Sequence, residues 1–204
     1  MKHERQTMHG ISRRDVLKNL AFGAAGGSVL QMIPAEAAAL AHQMVQKEKA
    51  ASAAGKYTPK YCSPHQYKTL TTLCDLIIPS DEKSGGAVEA GAPEFIDLLC
   101  SENEDFQLHI GGGLNWLDNT CRDRYEHTFL GSTPAQKKEI LDLIAYRKNA
   151  KSDPSLTPGI AFFSRLRQMI CDAFYTSKIG IEDLQYIGNT AFADFPGCPP
   201  IPES

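Results

Sequence analysis

The sequence lacks the short motifs that mark the commonest catalytic and cofactor sites. It contains no C-x-x-C-H for covalently attached haem, no G-x-G-x-x-G for a dinucleotide, no H-E-x-x-H and no G-x-S-x-G. Cys62 and His65 have the spacing of half a zinc site, but no second short-spaced pair completes it. We therefore expect no catalytic residue, cofactor site or metal site in this chain, and no enzyme activity of its own.

Long apolar runs and basic patches are missing as well. The longest apolar run, from Leu20 to Ile33, has about fourteen residues, fewer than the roughly twenty that a membrane-spanning helix needs. The formal net charge of −3 becomes −5 without residues 1–37, because those residues hold five basic and three acidic side chains. We therefore expect neither a transmembrane anchor nor a nucleic-acid partner.

The N-terminal residues have the three zones of an export signal. The run SRRDVLK resembles the twin-arginine signal of bacteria, with Arg13 and Arg14 as its pair. An apolar zone follows, and the A-x-A of residues 35–37 predicts cleavage after Ala37. We interpret residues 1–37 as a twin-arginine signal peptide and residues 38–60 as a linker, either a tether or a frayed helix. The mature protein is then periplasmic. The alternative is an ordinary amphipathic N-terminal helix.

The rest of the sequence predicts helices and almost no strands. Ser63 and Thr133 are each followed by proline and, three residues on, by glutamine, which predicts two capped helices. Apolar residues at helical spacing predict three more over about 93–100, 104–127 and 160–175, and the glycine run 111–113 should weaken or bend the middle one. We expect one compact all-α domain of about five helices over residues 61–204, with an irregular, aromatic, Pro- and Gly-rich tail.

Six cysteines follow the predicted signal, an even number that an oxidising compartment permits to pair. Their spacing does not choose among the alternative pairings. Cys74, Cys121 and Cys171 fall in apolar helical patterns, so we interpret them as buried free thiols. Cys198 lies in the proline-bounded run FPGCPP, and it is the best candidate for a disulfide, internal or to a partner.

The C-terminal segment is dense in aromatic residues and is broken by glycine and proline. The aromatic residues are Phe174, Tyr175, Tyr186, Phe192 and Phe195. Because regular helix packing cannot bury all of them, we interpret them as anchors for a partner protein. The alternative is that the tail folds back to cover its own core.

Two blocks of the sequence resemble the gluconate 2-dehydrogenase subunit 3 family. The first, over residues 70–100, has Ile-Ile-Pro at 77–79, a glycine-rich loop and AGAPEFID at 90–97. The second, over residues 172–200, has FYTS at 174–177, Ile-Gly at 179–180, LQY at 184–186 and PGC at 196–198. The blocks occur in the family's order and span nearly all of the mature chain.

The resemblance implies a small, non-catalytic subunit of a periplasmic sugar or sugar-acid dehydrogenase. Such a subunit accompanies a larger FAD-dependent dehydrogenase of the glucose-methanol-choline type, supports its folding and stability, and carries it through the twin-arginine pathway. The large subunit holds the FAD and passes electrons to a cytochrome c or another acceptor. Two hypotheses of other classes stay open: a stand-alone periplasmic helical protein that binds a ligand or assists folding, and an independent enzyme.

Overall fold

The computed structural model describes residues 33–188, and this part of the chain is helical, without a β-strand. The helices are α1 (Ala35–Ala51), α2 (Pro64–Ile77), α3 (Ala92–Glu102), α4 (Glu104–Phe106), α5 (Gly112–Tyr125), α6 (Pro134–Ala145), α7 (Asn149–Ser152), α8 (Thr157–Tyr175) and α9 (Lys178–Asp183). A π-helix, Gln107–Gly111, joins α4 to α5, and a 3-10 turn, Pro154–Leu156, precedes α8. The all-α prediction is confirmed. Within this range every helix is too short or too polar to span a bilayer.

Some of the residues singled out by the sequence lie outside the described range. They are Arg13, Arg14, Phe192, Phe195 and Cys198. The export signal, the distal tail and the disulfide candidate therefore stay predictions.

Helices α2 and α6 begin as the sequence predicts. The Ser63 hydroxyl accepts the Gln66 N–H at 3.3 Å, and the Gln66 side chain accepts the Ser63 N–H at 3.0 Å. Thr133 and Gln136 make the same reciprocal pair at the start of α6. Each pair satisfies two N–H groups that the first helical turn would leave without partners, so local sequence fixes both helix starts.

Helices α3 and α8 form the centre of the domain. Every residue of α3 from Phe95 to Cys100 is buried, so this helix is covered on all sides. Helices α1, α2 and α8 pack around it, and α8 also contacts α5, α6 and α9. The predicted apolar stripe of α8 is buried from Ile160 to Phe174, as expected for a core helix.

Helix α1 corrects the interpretation of residues 38–60 as a linker. Ala37, Ala38, Ala41 and Val45 form a buried face of this helix, which packs against α3. Alanines also occupy exposed positions of this helix, such as Ala35 and Ala39, so the amphipathic pattern of α1 is weak. The same small side chains let two helices approach closely, because interaxial distance depends on side-chain size at the contact.

The glycine run 111–113 lies where the π-helix joins α5, so the predicted irregularity is present. A Cβ atom at Gly111 would overlap the Tyr61 hydroxyl, and one at Gly113 would overlap the Phe162 ring. Neither position has room for a side chain. The run therefore serves the close packing of Tyr61 and Phe162 against the helix.

Candidate functional site

The two motif blocks meet on the N-terminal segment, residues 33–62. Their side chains contact this segment at three places: Asp97 with residues 57–62, Asp172 with Ile33, and both Phe95 and Thr176 with His42. We call these contacts the N-terminal clasp. They fasten the part of the chain nearest the predicted export signal to the middle and the end of the domain.

Asp97 is the buried polar residue at the centre of α3, with no solvent exposure. Its carboxylate accepts the Tyr57 hydroxyl at 2.9 Å and three backbone N–H groups, those of Lys60 at 2.7 Å, Tyr61 at 3.2 Å and Cys62 at 2.7 Å. A carboxylate out of water is tolerated only when its oxygens are satisfied in this way. The arrangement holds residues 57–62 against α3.

The protonation of the neighbouring groups suits this arrangement. Burial, with the Asp97 carboxylate alongside, raises the pKa of Tyr57 well above its ordinary value and raises that of the Cys62 thiol to about 12. Both groups therefore stay neutral near pH 7. Tyr57 remains a hydrogen-bond donor to Asp97, and Cys62 is a poor nucleophile because little of it is thiolate.

Asp172, near the end of α8, holds the residue that precedes α1. Its Oδ2 accepts the Ile33 N–H at 3.2 Å, and its Oδ1 accepts the Gln168 side-chain amide at 3.0 Å. Both Asp172 and Ile33 are buried. Burial raises the pKa of Asp172 above its ordinary value, because the low-dielectric site disfavours the charged form.

His42 joins α1 to both motif blocks. Its ring lies against the Phe95 ring at 4.9 Å between centroids, and its Nε2 is 3.1 Å from the Thr176 hydroxyl oxygen. The Thr176 hydroxyl donates to the Asp172 carbonyl at 2.5 Å, so its oxygen is left to accept from His42 Nε2–H. Burial lowers the pKa of His42 below 6.5, and the ring is accordingly neutral at pH 7.

An ion pair between α1 and α3 adds a further contact. Lys49, in the last turn of α1, lies 2.6 Å from Glu94 in the first turn of α3. Both side chains keep some exposure to solvent, and such pairs typically contribute less than about 1 kcal/mol. This contact helps to align the two helices, whereas the buried carboxylates hold the segment in place.

Two motif glycines allow tight turns beside the clasp. Ser177 caps α9 by accepting the Gly180 N–H at 3.1 Å, and a Cβ at Gly180 would overlap the Phe174 carbonyl oxygen. A Cβ at Gly86 would lie 2.7 Å from the Ile78 carbonyl oxygen, closer than real Cβ contacts. Only glycine fits at Gly86 and Gly180, because the neighbouring backbone comes too close to leave room for a Cβ atom.

A groove of about 420 Å³ lies between α1 and the corner that joins α8 to α9. Its lining includes His42, Gln43, Gln46, Glu89, Thr176 and Lys178. These side chains present donors, acceptors and one charge of each sign, so the groove suits hydrogen bonding to polar groups of a partner.

The predicted partner anchors separate into two groups. Phe174 is only 3% exposed, so its ring belongs to the core, and its interpretation as a docking residue is corrected. Tyr175 and Tyr186 are 45% and 53% exposed. They belong to a set of exposed apolar residues that we call the C-terminal patch: Tyr175, Ile181, Leu184, Tyr186 and Ile187.

The candidate metal and thiol residues are placed apart. Cys62 faces Asp97. His65 instead contacts Asp118, with its Nε2 at 2.5 Å from the Asp118 Oδ2. The other carboxylate oxygen of Asp118, Oδ1, accepts the Phe129 N–H at 3.0 Å. The two halves of the C-x-x-H pair therefore serve different contacts. Between residues 33 and 188, no three His, Cys, Asp or Glu side chains are grouped to hold a metal.

Five of the six cysteines fall within the described range, and all five are free thiols. Cys74 and Cys121 are buried, in agreement with the prediction, whereas Cys171 is only half-buried. Burial raises the pKa of the Cys121 thiol to about 11, so this thiol stays protonated and unreactive near pH 7.

The sequence analysis missed Asp97, Asp172 and His42. A detectable signal was present for the two carboxylates, since each stands alone in an apolar run, FIDLLC and MICDAFY. A charged residue on the buried face of a helix is costly unless it is hydrogen-bonded. Its presence there indicates that another segment supplies the donors.

A family model described as gluconate 2-dehydrogenase subunit 3 matches residues 64–197. This range contains the first motif block, most of the second, and the acceptor side chains of the clasp, Asp97 and Asp172. No curated protein and no solved structure matches the chain.

Proposed function

The chain belongs to the gluconate 2-dehydrogenase subunit 3 family, and we propose that it is the non-catalytic small subunit of a periplasmic FAD-dependent dehydrogenase complex. In this proposal a larger subunit of the glucose-methanol-choline type binds FAD and oxidises a sugar or sugar acid. A cytochrome c or another acceptor takes the electrons. The present chain supports the folding, stability and twin-arginine export of the large subunit.

The observation that carries the proposal is the N-terminal clasp. An export signal carries a second protein when the domain to which the signal is attached binds this passenger. Ile33, the last residue of the predicted apolar zone and the first described residue, is held by Asp172, and α1 continues directly into the core against α3. The motif residues of the family thus fasten the end of the predicted signal to the domain.

The export hypothesis is tested by exchanging Arg13 and Arg14 for lysine in cells that make both subunits. We expect the small and the large subunit to stay together in the cytoplasm, because the receptor reads the arginine pair. Arg5→Lys, a charge-conserving change outside the pair, is the matched control and should leave export intact. Arrival of the large subunit in the periplasm with the double variant would show that it does not depend on this signal.

The C-terminal patch supports docking of the large subunit at this end of the domain. Its members are large and apolar, and Ile187 is 83% exposed. Several large exposed apolar residues within one short segment are typical of protein interfaces, where tyrosine in particular serves as an anchor. The aromatic residues Phe192 and Phe195 follow within a few positions in the sequence.

Removal of residues 187–204 tests the docking hypothesis. We expect a folded, helical small subunit that no longer co-purifies with the large subunit, as judged by circular dichroism and a pull-down. A matched control is Leu108→Ser, because Leu108 is also an exposed apolar residue, at 72%, but lies in the π-helix. A truncated chain that unfolds would assign the tail to the core, and one that stays folded and still binds would place docking outside residues 187–204.

The absence of catalysis is tested with the purified chain alone. We expect no flavin or haem absorption and no sugar-dependent reduction of a dye. Purification from the native periplasm should instead yield the chain with a flavoprotein at equal stoichiometry. Dye reduction by the isolated chain would favour the independent enzyme, and recovery of the chain without a flavoprotein would favour the stand-alone helical protein.

A further inference from the structure

The predicted cleavage site is part of the folded domain. Residues 35–37, the A-x-A run, form the first turn of α1, and both residues of the bond to be cut, Ala37 and Ala38, have no exposure to solvent. The Ala38 N–H donates to the Pro34 carbonyl at 2.9 Å. A peptidase must bind the chain around the scissile bond in its own cleft, so a buried helical turn has to open before it can be cut.

The chain is held on both sides of this bond. On the upstream side, the Ile33 N–H donates to the buried Asp172 carboxylate at 3.2 Å. On the downstream side, Ala41 and Val45 continue the buried face of α1 against α3. Opening of the bond between Ala37 and Ala38 therefore requires the release of contacts with two different helices.

Neighbouring cleavage positions share the same protection. The sequence offers further A-x-A runs at residues 37–39 and 39–41. Both include alanines of the buried face, Ala37 and Ala41. A shift of the cut by two or four residues thus removes more of the buried face rather than avoiding it.

We propose that the fold controls the processing of this chain: once the domain has folded, the N-terminal clasp withholds the bond after Ala37 from signal peptidase, and the folded protein keeps residues 33–37. The name of the peptidase rests on the proposed export function. The burial of the bond does not, because it follows from the contacts of α1 alone.

The test uses the purified full-length chain and a detergent-solubilised bacterial signal peptidase, with intact mass spectrometry as the readout. A synthetic peptide of residues 28–44 is the unfolded reference. We expect the peptide to be cut after Ala37 at least about 100-fold faster than the folded chain, because cleavage of a protected site follows the population of its open form. Equal rates for chain and peptide would overturn the proposal. So would a peptide that is not cut, since the sequence rather than the fold would then prevent cleavage.

Matched variants separate burial from recognition of the site. Val45→Glu places a carboxylate on the buried face of α1, eight residues from Ala37. Gln46→Glu introduces a carboxylate at the neighbouring position, which is exposed. We expect at least about 10-fold faster cleavage of the first variant and no change for the second. Asp172→Ala, which removes the acceptor of the Ile33 N–H, should also accelerate cleavage. Unchanged rates for both buried-site variants would overturn the proposal.

Hydrogen exchange of the wild-type chain gives an independent measurement if Val45→Glu does not fold. The Ala38 and Ala41 amides should exchange at least about 100-fold more slowly than in the peptide. Rapid exchange at both would show that α1 opens freely, contrary to the proposal. This hydrogen-exchange result does not depend on the export hypothesis. The export hypothesis is tested separately in cells, with the variant in which Arg13 and Arg14 are lysine.

Discussion

The two ends of the described chain contrast in composition and in burial. Residues 33–45 are mostly small and weakly patterned, yet Ile33, three alanines and Val45 are buried. Residues 181–188 include two isoleucines, a leucine and a tyrosine, yet all eight residues are exposed. The larger apolar side chains of the C-terminal end therefore face solvent, whereas the mostly small ones of the N-terminal end are buried. Burial here follows from what each segment packs against, not from the size of its apolar side chains.

Buried polar residues explain why the N-terminal end is held so closely. Asp97 and Asp172 lie on the two central helices, α3 and α8, and their carboxylates accept hydrogen bonds from Ile33 and from residues 57–62. At the C-terminal end, the backbone N–H groups of Ile181, Leu184 and Gln185 donate to carbonyls only three or four residues back, those of Ser177, Gly180 and Glu182. One end is thus fixed to the domain, while the other presents apolar surface that suits a partner.

The largest effect is expected from breaking the Asp97 contact. Asp97→Ala leaves three N–H groups and the Tyr57 hydroxyl without their acceptor, so the free energy of unfolding should fall by about 3 kcal/mol or more. Urea denaturation followed by circular dichroism measures the change. Asp75→Ala, at an exposed position of α2, is the control and should change stability by less than about 0.5 kcal/mol. A loss below about 1 kcal/mol for Asp97→Ala would show that residues 57–62 contribute little.

The next effect comes from shortening the fixed end. A chain that starts at Ala38 loses the bond between Ile33 and Asp172, and it places a charged amino group at a residue without exposure. We expect it to be less stable by about 2 kcal/mol than a chain that starts at Ile33. Thermal and urea denaturation of the two chains, made by cleavage of the same removable tag, give the difference. Equal stability would mean that the start of α1 is not part of the cooperative unit.

The sequence predicted the parts of this structure that local chemistry determines. Capping boxes fixed the starts of α2 and α6, and helical spacing found the core face of α8. Helix α1 could not be found in this way, because alanines at positions such as Ala37 and Ala41 produce little amphipathic pattern and gain their burial from α3. Phe174 and Tyr175 were indistinguishable by type, and only the direction of each side chain on α8 places one in the core and the other on the surface.

A smaller effect is expected at the exposed end. The double variant Leu184→Ser and Ile187→Ser should change the stability of the small subunit by less than about 0.5 kcal/mol, since both side chains are exposed. Its affinity for the large subunit should fall by about 1 to 2 kcal/mol if the C-terminal patch is the docking surface. Calorimetry and a binding titration measure the two quantities. Leu108→Ser serves as the control, and a similar loss of affinity for it would extend the interface to the π-helix.

The smallest effect concerns the pH dependence of the fixed end. Because burial lowers the pKa of His42 below 6.5, the folded chain binds fewer protons than the unfolded chain between the lowered value and 6.5. The contribution of His42 to the free energy of unfolding is therefore fully present above pH 6.5, and it is lost as the pH falls from 6.5 through the lowered pKa. Asp172 acts in the opposite sense, since its raised pKa removes stability as the pH rises through the range just above 3.8.

His42→Gln isolates the histidine contribution. Glutamine keeps a donor for the Thr176 hydroxyl but does not titrate, so the difference in melting temperature between wild type and variant should shrink or change sign as the pH falls from 7.5 towards 5. His127→Gln, at an exposed position after α5, is the matched control and should run parallel to the wild type. Parallel curves for His42→Gln as well would show that the ring takes up its proton without leaving the contact with Phe95. The fixed end would then be insensitive to pH, and the contrast between the two ends would rest on the carboxylates alone.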